Sequence, residues 1–126
     1  MKLRPATLED SNFLLRLKND KTMRKFAIVT HEKIQKDNHE RWLAKNLGTI
    51  RIAYEKEPIG MLRLSNGEIS INIAAKFRKQ GFGTKMLKGV KGYAKIVDGN
   101  VASLNLFLKA GFKVKSHKKN YYVLSN

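Results

Sequence analysis

The feature that most constrains this chain is a stretch between residues 50 and 73 in which apolar and polar residues alternate. The segments "TIRIAYEKE", "IGMLRL" and "EISINIA" follow one another there, with "KEPIG" as a turn. A period of two is typical of strands that bury one face. The last two segments are joined by Asn66-Gly67, a strong signal for a two-residue hairpin. Three antiparallel strands in a meander are therefore predicted.

Helical and strand patterns flank this meander. "KLRPA" predicts a first strand. Thr7 and Asp10 have the spacing of a capping box and begin a first helix, in which Phe13, Leu14 and Leu17 follow at helical spacing. "THEKIQKDNHERWLAKNLG" predicts a second helix that ends at Gly48. Beyond the meander we predict a helix over about residues 81–91, a strand in "YAKIVDG", a helix over about 101–109 closed by Gly111, and strands in "FKVKS" and "YYVL".

These elements predict an α/β fold class in one domain, residues 1–126. About seven strands would form a mixed, mostly antiparallel sheet with about four helices packed on it. The predicted order is β-α-α-β-β-β-α-β-α-β-β.

The composition excludes several classes of function. The chain has no cysteine, and its three histidines lack metal-ligand spacing, so we expect no metal. No apolar run reaches the roughly 20 residues of a membrane helix, and the start lacks the apolar core of a signal peptide. We therefore expect a soluble, cytoplasmic protein with no membrane partner.

The charge of the chain points to an anionic partner. The formal net charge is +16, and Asp98 is the last acidic residue. Such a field attracts a polyphosphate cofactor, an anionic substrate or nucleic acid. The alternative is that the lysines are merely solvated.

The segment "FRKQGFGTKMLKGV", residues 77–90, is the first candidate site. Gly81 and Gly83 can adopt positive φ and allow a close approach, and the free N–H groups of the following helical turn suit a pyrophosphate. Arg78 and Lys79 would add positive charge. The alternative is an ordinary tight turn. The segment is neither a Walker loop nor a dinucleotide fingerprint.

The segment "NVASLNLFLKAGF" is the second candidate site. The alternative is that Asn100 is only an N-cap and that Phe107 is only a residue of the apolar core. Together the two motifs resemble the GCN5-related N-acetyltransferase (GNAT) family. That family's loop reads Q/R-x-x-G-x-G/A and its last helix reads N-x-x-S-x-x-x-Y/F-x-x-x-G-F. The matching residues are Arg78, Gly81 and Gly83 in the loop and Asn100, Ser103, Phe107, Gly111 and Phe112 in the helix. The resemblance extends from "LRPAT" to "YYVL" and implies the GNAT fold.

The resemblance implies acetyl-CoA as co-substrate. The loop that would bind its pyrophosphate comprises Arg78, Lys79, Gln80, Gly81, Phe82, Gly83 and Thr84. Backbone groups around Ile71 and Ile73, on a fourth strand that splays from the fifth, would pair with the pantetheine arm. Asn100 would bond that arm, with Ser103 and Phe107 beside it.

The segments "LKNDKTMRKF" and "HERW" are similar to GNAT members that acetylate amino sugars on nucleotide carriers. The resemblance thus implies a small-molecule primary amine, with a nucleotide-linked amino sugar as the leading acceptor. A ribosomal-protein N-terminus or a lysine is the alternative. From other classes, a basic nucleic-acid-binding module and an inactive CoA-binding domain remain open, although the aromatic residues are not interleaved with the basic cluster as nucleic-acid binding needs. The chain could be a monomer or a homodimer.

Acetyl transfer needs a base for the amine and a proton for the leaving thiolate. Glu68 opens the fourth strand, where some family members place a base, and is the first candidate; it could also be only an exposed hairpin residue. His39 is the second. Phe107 stands where many members have a proton-donating tyrosine, so Ser103, Tyr93, Tyr121 or solvent would supply that proton.

Overall fold

A computed structural model describes residues 1–27 and 33–126. These residues form seven strands and five α-helices, with short 3-10 turns between them. The strands are β1 Lys2–Pro5, β2 Ile50–Tyr54, β3 Pro58–Ser65, β4 Glu68–Ile73, β5 Tyr93–Val97, β6 Lys113–His117 and β7 Tyr121–Ser125. The helices are α1 Ser11–Asn19, α2 Lys21–Lys25, α3 Lys36–Asn46, α4 Phe82–Leu87 and α5 Val101–Lys109.

The seven strands form one sheet in the order β1-β2-β3-β4-β5-β7-β6. All neighbouring strands are antiparallel except β4 and β5, which are parallel. At the predicted hairpin Asn66 and Gly67 have φ of 52° and 84°, the left-handed pair that a type I′ turn requires. The predicted fold class, the meander and the mostly antiparallel sheet are confirmed.

The helices differ from the prediction in two places. The second helix was predicted from Thr30, a residue that lies outside the described ones, whereas α3 begins at Lys36 and the short α2 precedes it. Asp20 begins α2 by accepting hydrogen bonds from the amides of Thr22 and Met23, a cap that the pattern of apolar residues does not reveal. The helix predicted over about 81–91 ends at Leu87, because Gly89 turns the chain with a φ of 78°.

Two apolar cores lie on opposite faces of the sheet. Helices α1 and α3 cover one face, where the buried residues are Ala6, Leu14, Leu17, Leu43, Ile50, Ile52 and Met61. Helices α4 and α5 cover the other, where the buried residues are Ala53, Ile59, Leu62, Ile69, Met86, Leu87, Ala94, Ile96, Phe107, Phe112 and Leu124. Met61 and Leu62 of β3 belong to different cores, because successive side chains of a strand point to opposite sides of the sheet.

The helix ends are stabilised by the predicted signals. The Thr7 amide donates to the Asp10 carboxylate at 2.9 Å, completing a capping box before α1. Two hydrogen bonds from Arg4 to Asp10, at 2.8 and 2.9 Å, lower the pKa of that carboxyl. At the end of α5, the amides of Gly111 and Phe112 donate to carbonyls of the last turn, as in a Schellman motif. Among the described residues, no helix has the length and apolar character to cross a membrane.

Candidate active site

The central feature of the site is a gap between the parallel strands β4 and β5. The two strands are paired only at Glu68 and Tyr93, where the Tyr93 amide donates to the Gly67 carbonyl at 2.9 Å. Beyond this point β4 continues to Ile73 beside β3, and β5 continues beside β7. The gap is therefore closed at Glu68 and Tyr93 and open toward the carboxyl ends of both strands.

The hairpin register determines which peptide groups of β4 face this gap. Ser65 and Glu68 flank the two-residue turn and are paired, and hydrogen-bonded pairs in an antiparallel ladder alternate with non-hydrogen-bonded ones. Ile69, Ile71 and Ile73 therefore direct their peptide groups away from β3. Where β5 has departed, the peptide groups of Ile71 and the N–H of Ile73 can pair with an extended ligand as another strand would, while the Ile73 carbonyl accepts from Arg78 Nε.

The loop after β4 presents a row of amide donors. Lys79 and Gly81 have φ of 62° and 84°, and alternation of this kind turns successive N–H groups toward one concave side. Within the described part of the chain, the backbone N–H groups of residues 79–84 donate no hydrogen bond. A Cβ on Gly81 would meet no atom within 4 Å, so the space in front of the loop is open. These donors fit a pyrophosphate.

Gly83 differs from Gly81 in its conformation and surroundings. It lies inside α4 without a positive φ, and a Cβ there would lie 2.8 Å from Leu106 Cδ1 and 3.2 Å from Ile73 Cδ1. The absence of a side chain lets α4 pack closely against α5 and the end of β4. Of the two properties that glycine allows, Gly83 uses the close approach and not the positive φ, and it serves helix packing beneath the loop.

Arg78 connects the loop to the helices on the other face of the sheet. Its Nε donates to the Ile73 carbonyl at 2.9 Å, and its Nη2 donates to Asp20 Oδ1 at 3.1 Å. Burial would raise the pKa of the Asp20 carboxyl, but Arg78 and the amides of Thr22 and Met23 outweigh it, and the pKa is lowered. Arg78 thus fixes the start of the loop.

The second motif lies at the open end of the gap. Asn100 follows β5 and accepts a hydrogen bond from the Ser103 amide at 3.3 Å, so it is an N-cap. Its Nδ2 has no partner among the described residues and can serve a ligand. Phe107 is only 2% exposed and packs edge-to-face on Phe112, with ring centroids 5.0 Å apart. The geometry therefore gives Phe107 a core role, against the predicted position beside the coenzyme.

Glu68 lines a cleft at the closed end of the gap. This cleft has a volume of about 220 Å³, and its other walls include Arg63, Ser70 and Tyr93. The position suits a base, because Glu68 is half-buried at the point where the strands part. A larger cleft of about 420 Å³ lies between α1 and the residues that follow β4, with Asp20 and Arg78 in its wall.

His39 does not join this group. It is 1% exposed, and its Nε2 lies 3.2 Å from the Ser11 carbonyl oxygen. Burial, with a smaller effect of the Lys18 charge, lowers its pKa. A base must reach the acceptor amine, so this burial argues against the predicted role of His39.

Two cations that lie over the Trp42 ring were not singled out from the sequence, and one of them, Arg63, lines the cleft of Glu68. The Lys18 ammonium lies 3.1 Å from the centre of the Trp42 ring, and the Arg63 guanidinium lies 5.1 Å from it. Burial, and then the charge of Arg63, lower the pKa of Lys18 to about 8. The sequence carries a weak signal for this group, since Arg63 interrupts an apolar strand and Trp42 is the only tryptophan.

Comparison with known proteins identifies a family. A family model described as the acetyltransferase (GNAT) domain matches residues 1–113. No curated protein matches the chain by sequence similarity.

Solved structures share the architecture. A domain from Methanocaldococcus jannaschii has a TM-score of 0.81 at 22% identity, covering 99% of this chain and 96% of that one. A ribosomal-protein-alanine N-acetyltransferase from Brucella melitensis has a TM-score of 0.79 at 21% identity, covering 100% and 99%. A spermidine N-acetyltransferase from Vibrio cholerae, in complex with CoA and spermine, has a TM-score of 0.79 at 18% identity, covering 98% and 91%. At these identities the likeness shows the fold.

Proposed function

The chain belongs to the GNAT family of acetyl-CoA-dependent N-acetyltransferases, and from this premise we propose that its acceptor is a primary amine on an anionic carrier. The leading candidate is an amino sugar linked to a nucleotide. The observation that carries the proposal is the cleft at the closed end of the β4–β5 gap, where Glu68 and Arg63 line one space. A carboxylate base and a guanidinium in one cleft suit an acceptor that combines an amine with an anion.

The coenzyme would be held by backbone groups. The amides of residues 79–84 would donate to its pyrophosphate, which needs several donors directed at one anion. The peptide groups of Ile71, the backbone N–H of Ile73 and the side-chain Nδ2 of Asn100 would bond the pantetheine arm. When bound, the coenzyme supplies the activated acetyl group.

Glu68 would remove a proton from the acceptor ammonium, directly or through water, so that the neutral amine can attack the acetyl carbonyl. The N–H groups of β4 that face the gap would stabilise the oxyanion that forms there. Tyr93 lines the same cleft as Glu68, and its hydroxyl would protonate the sulfur as the C–S bond breaks. The second proton of the attacking nitrogen, released as the amide forms, would then return to the tyrosine through water. Phe107 carries no proton to give and is buried.

A polyamine acceptor is disfavoured by the charge. A polycation would approach a chain of net charge +16 and a cleft lined by an arginine, and like charges repel. A protein N-terminus remains the alternative, because the fold is shared with a ribosomal-protein-alanine N-acetyltransferase.

Two measurements test the proposal. Acetyl-CoA should raise the melting temperature of the protein through preferential binding to the folded state. Thiol release should then be followed with three sets of amines: nucleotide-linked amino sugars, peptides with free N-termini, and polyamines. Turnover that is fastest with the first set is expected.

Substitution of the base completes the test. We expect Glu68→Gln to lower kcat by about 10²–10⁴-fold and to leave the acetyl-CoA thermal shift intact. Undiminished turnover in this variant would remove Glu68 as base. Turnover only with peptides or polyamines would reject the anionic acceptor.

A further inference from the structure

The cations around Trp42 form an arrangement that folding alone does not explain. Lys18 comes from α1, Trp42 from α3 and Arg63 from β3, and both cations lie over one ring. One such cation–π contact stabilises a folded protein. A second cation beside the first adds repulsion, and the pKa of Lys18 is lowered by burial first and by the charge of Arg63 second.

Within residues 1–27 and 33–126, no carboxylate forms an ion pair that would offset this repulsion. The ion pairs among the described residues involve Arg4, Lys76, Arg78 and His117, and neither Lys18 nor Arg63 takes part in one. Two partly buried cations without a counter-ion are unusual, because charges removed from water need a partner. An anionic ligand would offset the repulsion between these two cations.

The guanidinium of Arg63 is held ready for such an anion. Its Nε donates to Thr49 Oγ1 at 3.0 Å, and its Nη2 donates to Asn46 Oδ1 at 3.1 Å. Its Nη1 has no partner within the described part of the chain. The arginine is therefore oriented by neutral groups that leave its charge uncompensated, with one nitrogen still free to donate.

We propose that Lys18 and Arg63, arranged around Trp42, bind a phosphate group of the acceptor while its amine lies at Glu68. The proposal rests on the proposed function, since it divides one acceptor between two ends of one site. Arg63 also lines the cleft of Glu68, so the two parts are contiguous. A phosphate fits because it carries up to two charges, matching two cations, and its oxygens accept from both.

Trp42 makes the proposal directly measurable. It is the only tryptophan in the chain, so intrinsic tryptophan fluorescence reports this cluster alone. We would titrate uridine 5′-monophosphate into the protein while CoA saturates the coenzyme site, and record the fluorescence. The titration would be repeated with Arg63→Gln, Lys18→Gln and the control Lys113→Gln, a lysine on the edge strand β6.

The expected result is a saturable fluorescence change in the unaltered chain. Its dissociation constant should rise about tenfold or more in Arg63→Gln and Lys18→Gln, since a charge-assisted hydrogen bond contributes about 1.5–3 kcal/mol, and should stay unchanged in Lys113→Gln. Inorganic phosphate should compete. No change of fluorescence, a change that both cluster variants retain, or binding that excess phosphate fails to displace would each overturn the proposal.

Failure of this inference can be told apart from failure of the proposed function. The titration needs no turnover, so absence of acetyl transfer leaves it interpretable. If an acceptor is acetylated, Arg63→Gln should raise its KM about tenfold and leave kcat and the KM of acetyl-CoA within about twofold. An unchanged acceptor KM would reject the phosphate site and retain the acetyltransferase. The CoA-induced thermal shift verifies that each variant is folded.

Discussion

At the scale of single residues, His39 has the environment of a structural histidine rather than that of a catalytic one. It is buried between α1 and α3, and its pKa is lowered chiefly by burial. The folded chain thus keeps His39 neutral, whereas the unfolded chain protonates it near pH 6.5. Its contribution to stability is present above about pH 6.5 and is lost as the pH falls toward the lower folded pKa.

We predict that His39→Gln keeps kcat within about twofold and flattens the decline of the melting temperature between about pH 7 and 5. Glutamine can donate to the Ser11 carbonyl as the ring does, but it does not titrate. Thermal unfolding at several pH values, with kcat at pH 7.5, measures both effects. A large loss of kcat, with the fold intact, would return His39 to the list of bases.

The residue scale is also where sequence reasoning is weakest. Glu68 could be selected because it begins a strand of the meander, and Asn100 because of its motif. Lys18 and Arg63 could not be selected as a pair, because they are 45 positions apart and come together only when α1 and α3 pack on β3. An isolated lysine or arginine is most often a solvated side chain.

At the scale of elements, the contact between α4 and α5 depends on Gly83. A Cβ at this position would lie within 3 Å of Leu106, and overpacking of this kind costs about 1–3 kcal/mol. The better helix propensity of alanine offsets up to about 1 kcal/mol. We predict that Gly83→Ala lowers the melting temperature by about 3–8 °C and weakens acetyl-CoA binding, because the amide-bearing loop rests on α4.

The matched control is Gly48→Ala. At Gly48 a Cβ would meet no atom within 4 Å, and the residue has no positive φ, so alanine there should leave the melting temperature unchanged or raise it slightly. Differential scanning calorimetry and a calorimetric titration with acetyl-CoA measure both variants. Equal stability of the two would show that α5 adjusts to a methyl group at position 83.

Elements were predictable where local patterns determine them. The meander could be predicted because alternation and Asn66-Gly67 agree, and α5 because an N-cap and a Schellman glycine define both of its ends. The start of α3 could not be located from the sequence, since its N-cap is Gln35, which makes no side-chain capping hydrogen bond and is not one of the residues favoured at that position. The two functions of the glycines in the loop, one conformational and one steric, also became distinct only in the packed structure.

At the scale of the whole molecule, one ion pair joins the two faces of the sheet. Arg78 and Asp20 are 58 positions apart and about two-thirds buried or more. Since Arg78 also bonds the end of β4, this pair connects the α1–α2 junction to the loop after β4. Such a connection between distant segments cannot be derived from local sequence patterns.

We predict that Asp20→Asn weakens acetyl-CoA binding by roughly two- to fivefold, because an ion pair of partial exposure contributes about 0.5–1 kcal/mol. Asparagine still caps α2, so the variant isolates the pair. Glu57→Gln is the control: it removes a similar charge from an exposed ion pair, in which Lys76 Nζ lies 2.7 Å from Glu57 Oε1. Isothermal titration calorimetry should show a weaker affinity in Asp20→Asn only; equal affinities in both variants would contradict a role for the pair.

On the two outermost strands of the sheet, β1 and β6, part of the positive charge has a function unrelated to ligand binding. An outermost strand exposes peptide groups that can pair with another molecule and begin an aggregate. Here β1 carries Lys2, Arg4 and Pro5, and β6 carries Lys113 and Lys115. Repulsion between the positive charges on such strands discourages edge-to-edge pairing of the sheets of two molecules. Resistance to such pairing and attraction of the proposed anionic acceptor would therefore depend on the same excess of positive charge, and removal of charge for one purpose would weaken the other.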